Sequence, residues 1–200
     1  MKRFSVILLA LFTYLTATAQ IKKYTNHNEF SVVTYGPIFL ESGFALHTFH
    51  GLNLNEKFAI GLNTGLDRYP VDDNGEKWFL PLSTKINYVE YPKRKRSFFA
   101  GIDLGYGFAF LNKTFQTNNL KSKYRGGVLF SPQLGWRFKF KDSQSYWSLA
   151  TGYRYQQFNR EDSYSAPASS LPNVDNGYGL IHNETRYHLH RFTLQVGIGF

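Results

Sequence analysis

The stretch Tyr187–Phe200, YHLHRFTLQVGIGF, decides how this chain folds. Taken alternately back from its end, Phe200, Ile198, Val196, Leu194 and Phe192 fall on one face, and Gly199, Gly197, Gln195, Thr193 and Arg191 on the other. A period of two is that of an extended strand. One face is continuously apolar, while the other is small or polar. In a water-soluble sheet the apolar face turns to a core. In a membrane-spanning barrel it turns to lipid, and the small polar face fills the interior. The remaining strands choose between these orientations.

Working outward from that segment, the same alternation recurs upstream. It is weak over Glu29–Ile38 and Gly43–His50, and clear over Lys57–Tyr69, Trp78–Tyr91, Ser97–Leu111, Arg125–Lys141 and Ser145–Phe158; the closing strand rises from Gly177. In the segment starting at Lys57, Phe58, Ile60, Leu62 and Leu66 oppose Ala59, Gly61, Asn63, Gly65 and Asp67. In the next, Trp78, Leu80, Leu82, Ile86 and Tyr88 oppose Ser83, Lys85 and Asn87. A soluble sandwich or barrel fills its core with the large residues and shows polar ones to water. Here the large face is aliphatic and aromatic along nearly every strand. The opposite face is mostly Gly, Ala, Ser, Asn and Gln with scattered charges, which suits the narrow interior of an eight-stranded barrel.

Aromatic residues are 18% of the chain, with 19 Phe and 14 Tyr. They gather near strand ends: Phe58, Tyr88, Phe98, Phe140 and Phe200 at tight turns, and Trp78, Phe108, Phe110, Phe130 and Tyr155 at longer connections. Two aromatic girdles around an aliphatic band mark a lipid-spanning barrel. The connections at 51–56, 92–96 and 142–144 are short; those at 39–42, 70–77, 112–124 and 159–176 are mostly longer. Short turns on one side with long loops on the other are the outer-membrane pattern. The expected fold is all-β, an eight-stranded antiparallel transmembrane up-and-down β-barrel.

The N-terminus carries a separate signal. Lys2 and Arg3 precede an apolar run, Val6–Leu15, and then the small-residue site Ala17-Thr18-Ala19. This is the tripartite pattern of a cleaved signal peptide, so residues 1–19 are expected to be removed and 20–200 to form the barrel domain. There is no cysteine, which excludes disulfides, thiol catalysis and Cys-bound metal. Formal charge is +9. Without Lys2 and Arg3, 21 basic residues stand against 14 acidic ones, a balance of +7. For an exported chain the expected counter-charges are outer-membrane lipid headgroups and lipopolysaccharide phosphates, not nucleic acid.

The signal peptide, the eight amphipathic segments and the closing RFTLQVGIGF resemble small bacterial outer-membrane barrels of the OmpA/OmpX type. GLNLNEKFAIGLNTGLDRY and SPQLGWRFKF with WSLATGYRYQ resemble the "outer membrane protein beta-barrel domain" families, a likeness that covers Asn28–Phe200. The resemblance implies a place in the bacterial outer membrane. It also implies that Phe192, Leu194, Val196, Ile198 and Phe200 are read by the barrel-assembly machinery. It carries no particular activity, since one fold hosts many.

The inward face carries Asp67, Lys85, Asp103, Arg137, Lys139, Arg154 and Arg191. Charges taken from water need partners. Asp103 is expected to meet Arg137, and Arg154 or Lys85 across the lumen, with Glu184 completing the excess of base. A polar plug fixing a monomeric barrel is the expected result, with a structural or surface-interaction role. A narrow channel or transporter for small solutes or small hydrophobic molecules is the alternative, and a lipid A-modifying enzyme comes third. His47, His50, His182, His188 and His190 are the candidates for that third role. No serine elbow accompanies them, so no catalytic, metal or cofactor site is expected. The Lys93-Arg94-Lys95-Arg96 run reads as a solvated hairpin turn, with binding of a periplasmic polyanion or phospholipid headgroups as the alternative. Binding of an extracellular partner, which nothing in the sequence identifies, would fall to the 112–124 and 159–176 loops.

Overall fold

A sheet with one face to lipid leaves unpaired main-chain groups at its edges unless it closes, and closure is what the chain achieves. The computed structural model describes residues 24–35, 41–71, 75–110, 116–117, 120–141, 145–167 and 178–200. The expected signal peptide, residues 1–19, lies outside them. The strands are β1 (Tyr24–Tyr35), β2 (Glu41–Asn53), β3 (Phe58–Pro70), β4 (Glu76–Val89), β5 (Arg96–Phe110), β6 (Gln116–Thr117), β7 (Leu120–Arg125), β8 (Gly127–Lys139), β9 (Tyr146–Pro167) and β10 (Tyr178–Gly199).

All pairings are antiparallel. The ring runs β1-β2-β3-β4-β5-β8-β9-β10 and returns to β1 through a ladder from His27↔Gly199 to Thr34↔Phe192. β7 continues the line of β8 beyond the ring. Its pairing with β9 (Arg125↔Asn159) is one residue out of step with that of β8 (Leu129↔Gln156), so Gly126-Gly127 forms a bulge between them. The result is an eight-stranded, antiparallel transmembrane up-and-down barrel, with β6 and β7 added above one side.

The short turns at one end are locally determined. Asn55 Oδ1 accepts from the main-chain N–H groups of Lys57 and Phe58, both at 2.8 Å, which folds the β2–β3 turn around one side chain. At the β4–β5 turn Lys93 pairs with Glu56 of the neighbouring turn at 2.7 Å, and Arg94 lies 4.2 Å from the Tyr91 ring. The basic run is therefore bound to its surroundings as well as solvated. At the opposite end, Gly75 closes the β3–β4 connection with φ 71°, a conformation that favours glycine.

Large apolar side chains cover the outside. Phe30, Leu46, Leu62, Leu82, Ile86, Ile102, Leu104, Leu134, Leu149, Leu194, Val196 and Ile198 are all exposed, with Leu104 at 61% and Phe192 at 64%. From Trp78 to Tyr88 the strand runs roughly 33 Å at about 3.3 Å per residue. A tilt near 40° projects that onto ~25 Å, the height of a lipid-facing band. Aromatic pairs flank this belt at the turn end: Phe58–Tyr88 with ring centroids 5.0 Å apart, Phe98–Trp136 at 6.1 Å and Phe138–Trp147 at 4.1 Å.

The strand ends differ from the sequence reading in three places. β1 spans Tyr24–Tyr35, not Glu29–Ile38; its outward Asn26 and Asn28 break the hydrophobic rhythm, but its main chain pairs with β2 from Tyr24↔Leu52 onward. Residues 36–38 lie outside the described set. β2 outruns Gly43–His50 at both ends. The expected loops at 112–124 and 159–176 are partly strand, because β7 pairs with β9 up to Leu120↔Tyr164, and β9 with β10 up to Pro167↔Tyr178. This three-stranded extension is polar on its outer face, so no apolar alternation announces it.

Candidate functional site

The candidate site is the lumen. Alternation aims one side chain in two from every strand into a space only wide enough for side chains. Polar groups there must meet one another, because little water can reach them. They do so in two clusters.

The first is centred on Lys85, which is 0% exposed. Its Nζ donates to both carboxylate oxygens of Glu29 at 2.8 Å and lies 3.7 Å from Asp103. Asp103 Oδ1 also accepts from Asn63 at 2.9 Å and Ser83 at 3.0 Å. Gln133 donates to Glu29 at 3.2 Å, and His27 contacts Glu29 at 3.3 Å and Ser148 at 3.0 Å. The cluster thus joins β1, β3, β4, β5, β8 and β9. In the second, Asp67 Oδ1 meets His47 at 2.6 Å, while Oδ2 accepts from Arg154 and from Tyr69, both at 2.5 Å. Arg154 Nε also donates to the Tyr69 hydroxyl at 2.8 Å. This brace spans β2, β3 and β9. Arg191 of β10 donates to the Pro70 carbonyl at 2.7 Å and lies 4.8 Å from the Tyr35 ring.

An apolar layer caps the second cluster on the long-loop side. Val33, Ala45, Tyr69, Val71, Phe79, Phe158 and Leu189 are buried together. Phe158 stacks on Tyr187 with centroids 4.6 Å apart and meets Phe79 at 5.5 Å. At the turn end, Phe99 packs with Val89 and Ala150. The lumen is therefore layered, with charge in the middle and rings towards both ends.

Of the expected lumenal residues, Asp67, Lys85, Asp103, Arg154 and Arg191 are buried inside. Two others are placed differently. Asp103 does not meet Arg137: it lies opposite Ser131, and Arg137 is six residues farther along β8, roughly 20 Å away along the strand. Arg137 instead sits between the rings of Phe99 and Tyr146, at 4.8 and 4.6 Å. Lys139, one pleat beyond, is exposed at the mouth. Glu184 is outside the lumen, where Asn159 donates to it at 2.8 Å. Asp103 does reach Lys85, at 3.7 Å and as its neighbour in the β4–β5 ladder, while the acid that binds Lys85 most closely is Glu29. Its parity was readable from Phe30 facing outward, but β1 alternates too weakly for that to stand out. His27 and the Tyr69 hydroxyl were missed, and His47 was read only as a candidate for lipid A chemistry, for the same kind of reason, because histidine and tyrosine suit either face.

The outward histidines pair with tyrosines: His190 with Tyr153 at 2.5 Å and His188 with Tyr155 at 2.7 Å. Besides the lumenal His27–Ser148 contact, a second Ser–His contact, between Ser163 and His182 at 2.9 Å, arises across the β9–β10 ladder and has no sequence-local signature. Among the described residues no carboxylate is paired with that histidine.

The chain matches no family model and no curated protein sequence. Two solved structures share its architecture. The outer membrane protein OprG from Pseudomonas aeruginosa aligns with a TM-score of 0.55 at 11% identity, over 89% of this chain and 96% of that one. Neisserial surface protein A (NspA) aligns with a TM-score of 0.50 at 11% identity, over 88% and 95%. At such identity the shared property is the fold. The lumen and the lipid-facing belt together give this chain the fold of the small outer-membrane barrels.

Proposed function

We propose that this chain is an integral protein of the bacterial outer membrane, exported by residues 1–19. In this reading its lumen is closed to solutes, and it has a structural or surface-interacting role rather than a catalytic one. The observation that carries this is the stack of side chains across the lumen. Phe99, Lys85, Asp67 and Phe79, taken from the turn end towards the loop end, are each 0% exposed, so no water-sized space touches them. A path for ions would have to break several charge-assisted hydrogen bonds at once.

With the inside filled, the surface left for a partner lies beyond the lipid. β10 is 22 residues long, roughly 70 Å of strand, and only its stretch from Phe192 onward carries the apolar outer row. Above that row its outward residues are His190, His188, Arg186, Glu184 and His182. Alongside, β7 presents Lys121, Lys123 and Arg125 outward. Such a face suits lipopolysaccharide phosphates next to the membrane, with extracellular partners farther out. The row Phe192, Leu194, Val196, Ile198 and Phe200 is the outer face of the strand that closes the barrel on β1, which supports its recognition by the assembly machinery.

Planar-bilayer recording tests this reading. The purified, refolded barrel is expected to give no stable conductance at moderate voltage, and a steady, wide conductance would refute the closed lumen.

A further inference from the structure

The turn-end mouth of the barrel holds a cavity of about 490 Å³, open to that side and lined in part by Asn87, Arg137, Lys139, Tyr146 and Lys57. Two of these residues have unused hydrogen-bonding capacity. Arg137 has no carboxylate within 4 Å among the described residues, and its Nε–H is buried without an acceptor. Both carboxylate oxygens of nearby Glu29 are already occupied by Lys85. Its neighbours are aromatic rings, the guanidinium carbon lying 4.8 and 4.6 Å from the Phe99 and Tyr146 centroids, and such contacts leave N–H donors for a ligand. Asn87 is 2% exposed, and neither its Nδ2 nor its Oδ1 has a partner. Buried amides are rarely left so, because each unmet group costs its full desolvation. Gly101, opposite Asn87 in the ladder, makes room for the amide: a Cβ there would stand 2.7 Å from Asn87 Oδ1.

The field in this cup is positive. Lys57 and Lys139 line it with Arg137, and the acidic side chain in its lining, Glu56, is held by Lys93 at 2.7 Å. From this geometry we infer that the mouth is a binding site for a small oxyanion, a carboxylate or phosphate group. The Arg137 fork would grip two of its oxygens, and the Asn87 amide would donate to it or to a neighbouring polar group. The lysines draw the anion in without fixing its position. The site is separate from the closed lumen, since Phe99 and the Lys85 cluster lie beneath it.

The test uses the full barrel, isotope-labelled and refolded in detergent micelles, titrated with sodium phosphate or sodium malonate at constant ionic strength made up with chloride. The expected result is saturable shifts of the Asn87 side-chain amide and the Arg137 Nε–H signals. Affinity should fall by at least about tenfold in Arg137→Gln. Tighter binding of one anion over the other identifies the head group. Asn87→Asp adds a carboxylate to the lining of the same cavity and should weaken anion binding with Arg137 intact. Heat-modifiable gel migration of the same samples reports folding independently, so failure of the barrel and failure of the site are distinguishable. In folded protein, shifts that rise linearly without saturating, or equal affinity in Arg137→Gln, would overturn the inference.

Discussion

Replacing Lys85 by Met is expected to destabilise the folded barrel by roughly 3–5 kcal/mol, the usual cost of removing one member of a buried charge cluster. The reason is what remains. Glu29 and Asp103 now share a lumen without their common cation, and neither can reach water. Asn63, Ser83, Gln133 and His27 still contact the two acids, but none of them carries Lys85's permanent positive charge. Urea unfolding of the refolded protein in detergent measures the loss, and a companion variant sharpens it. Adding Glu29→Gln to Lys85→Met removes one stranded carboxylate and should recover a large part of the deficit. A loss below about 1 kcal/mol in the single variant, a size usual for exposed pairs, would mean that water reaches Lys85 after all.

The second large effect lies on the opposite face. Leu104 is outward, 61% exposed and central in β5, between Leu82–Tyr106 and Ile102 in the apolar belt. Leu104→Arg should cost about 2–4 kcal/mol when the barrel is folded into lipid vesicles, because a guanidinium near the bilayer midplane loses its hydration. The same change at Leu54, in the β2–β3 turn, should cost far less. A water-soluble barrel would behave in the opposite sense, tolerating arginine at Leu104 and gaining solubility from it. Urea midpoints for the two variants in vesicles therefore test the orientation of the whole sheet.

The fold was legible because lipid imposes a repetitive demand. Leu80, Leu82 and Ile86 must alternate with Ser83, Lys85 and Asn87 for β4 to face hydrocarbon on one side and a crowded lumen on the other. Where that demand lapses, legibility lapses too. β1 has Asn26 and Asn28 on its outer face, and β7 has Lys121, Lys123 and Arg125 on its own, so these strands are maintained by main-chain pairing and by polar or inward side-chain contacts that leave no apolar rhythm. The lumen was half legible. Parity identified Asp67, Lys85, Asp103 and Arg154 as inward, but which charge meets which depends on strand stagger. Stagger carries Arg137 six residues past the level of Asp103 and brings Glu29 of β1 across the barrel to Lys85. Apolar lumenal residues such as Phe79 and Phe158 were obscured because a large hydrophobe in a lipid-spanning strand reads first as lipid-facing.

The β1–β10 ladder has a kinetic consequence. Its partners, from His27↔Gly199 to Thr34↔Phe192, join nearly opposite ends of the described chain, whereas every other ring contact is between strands close in sequence. Neighbouring hairpins can zip up early and cheaply, but the seam has to bring together the most distant segments and carries the largest loop-closure entropy. Until it forms, β1 and β10 each present a row of unpaired main-chain groups, which lipid tolerates poorly and other chains can capture. The slow, vulnerable moment in this protein's biogenesis is therefore the meeting of its first and last strands, and the unclosed sheet is the species that folding helpers would have to shield.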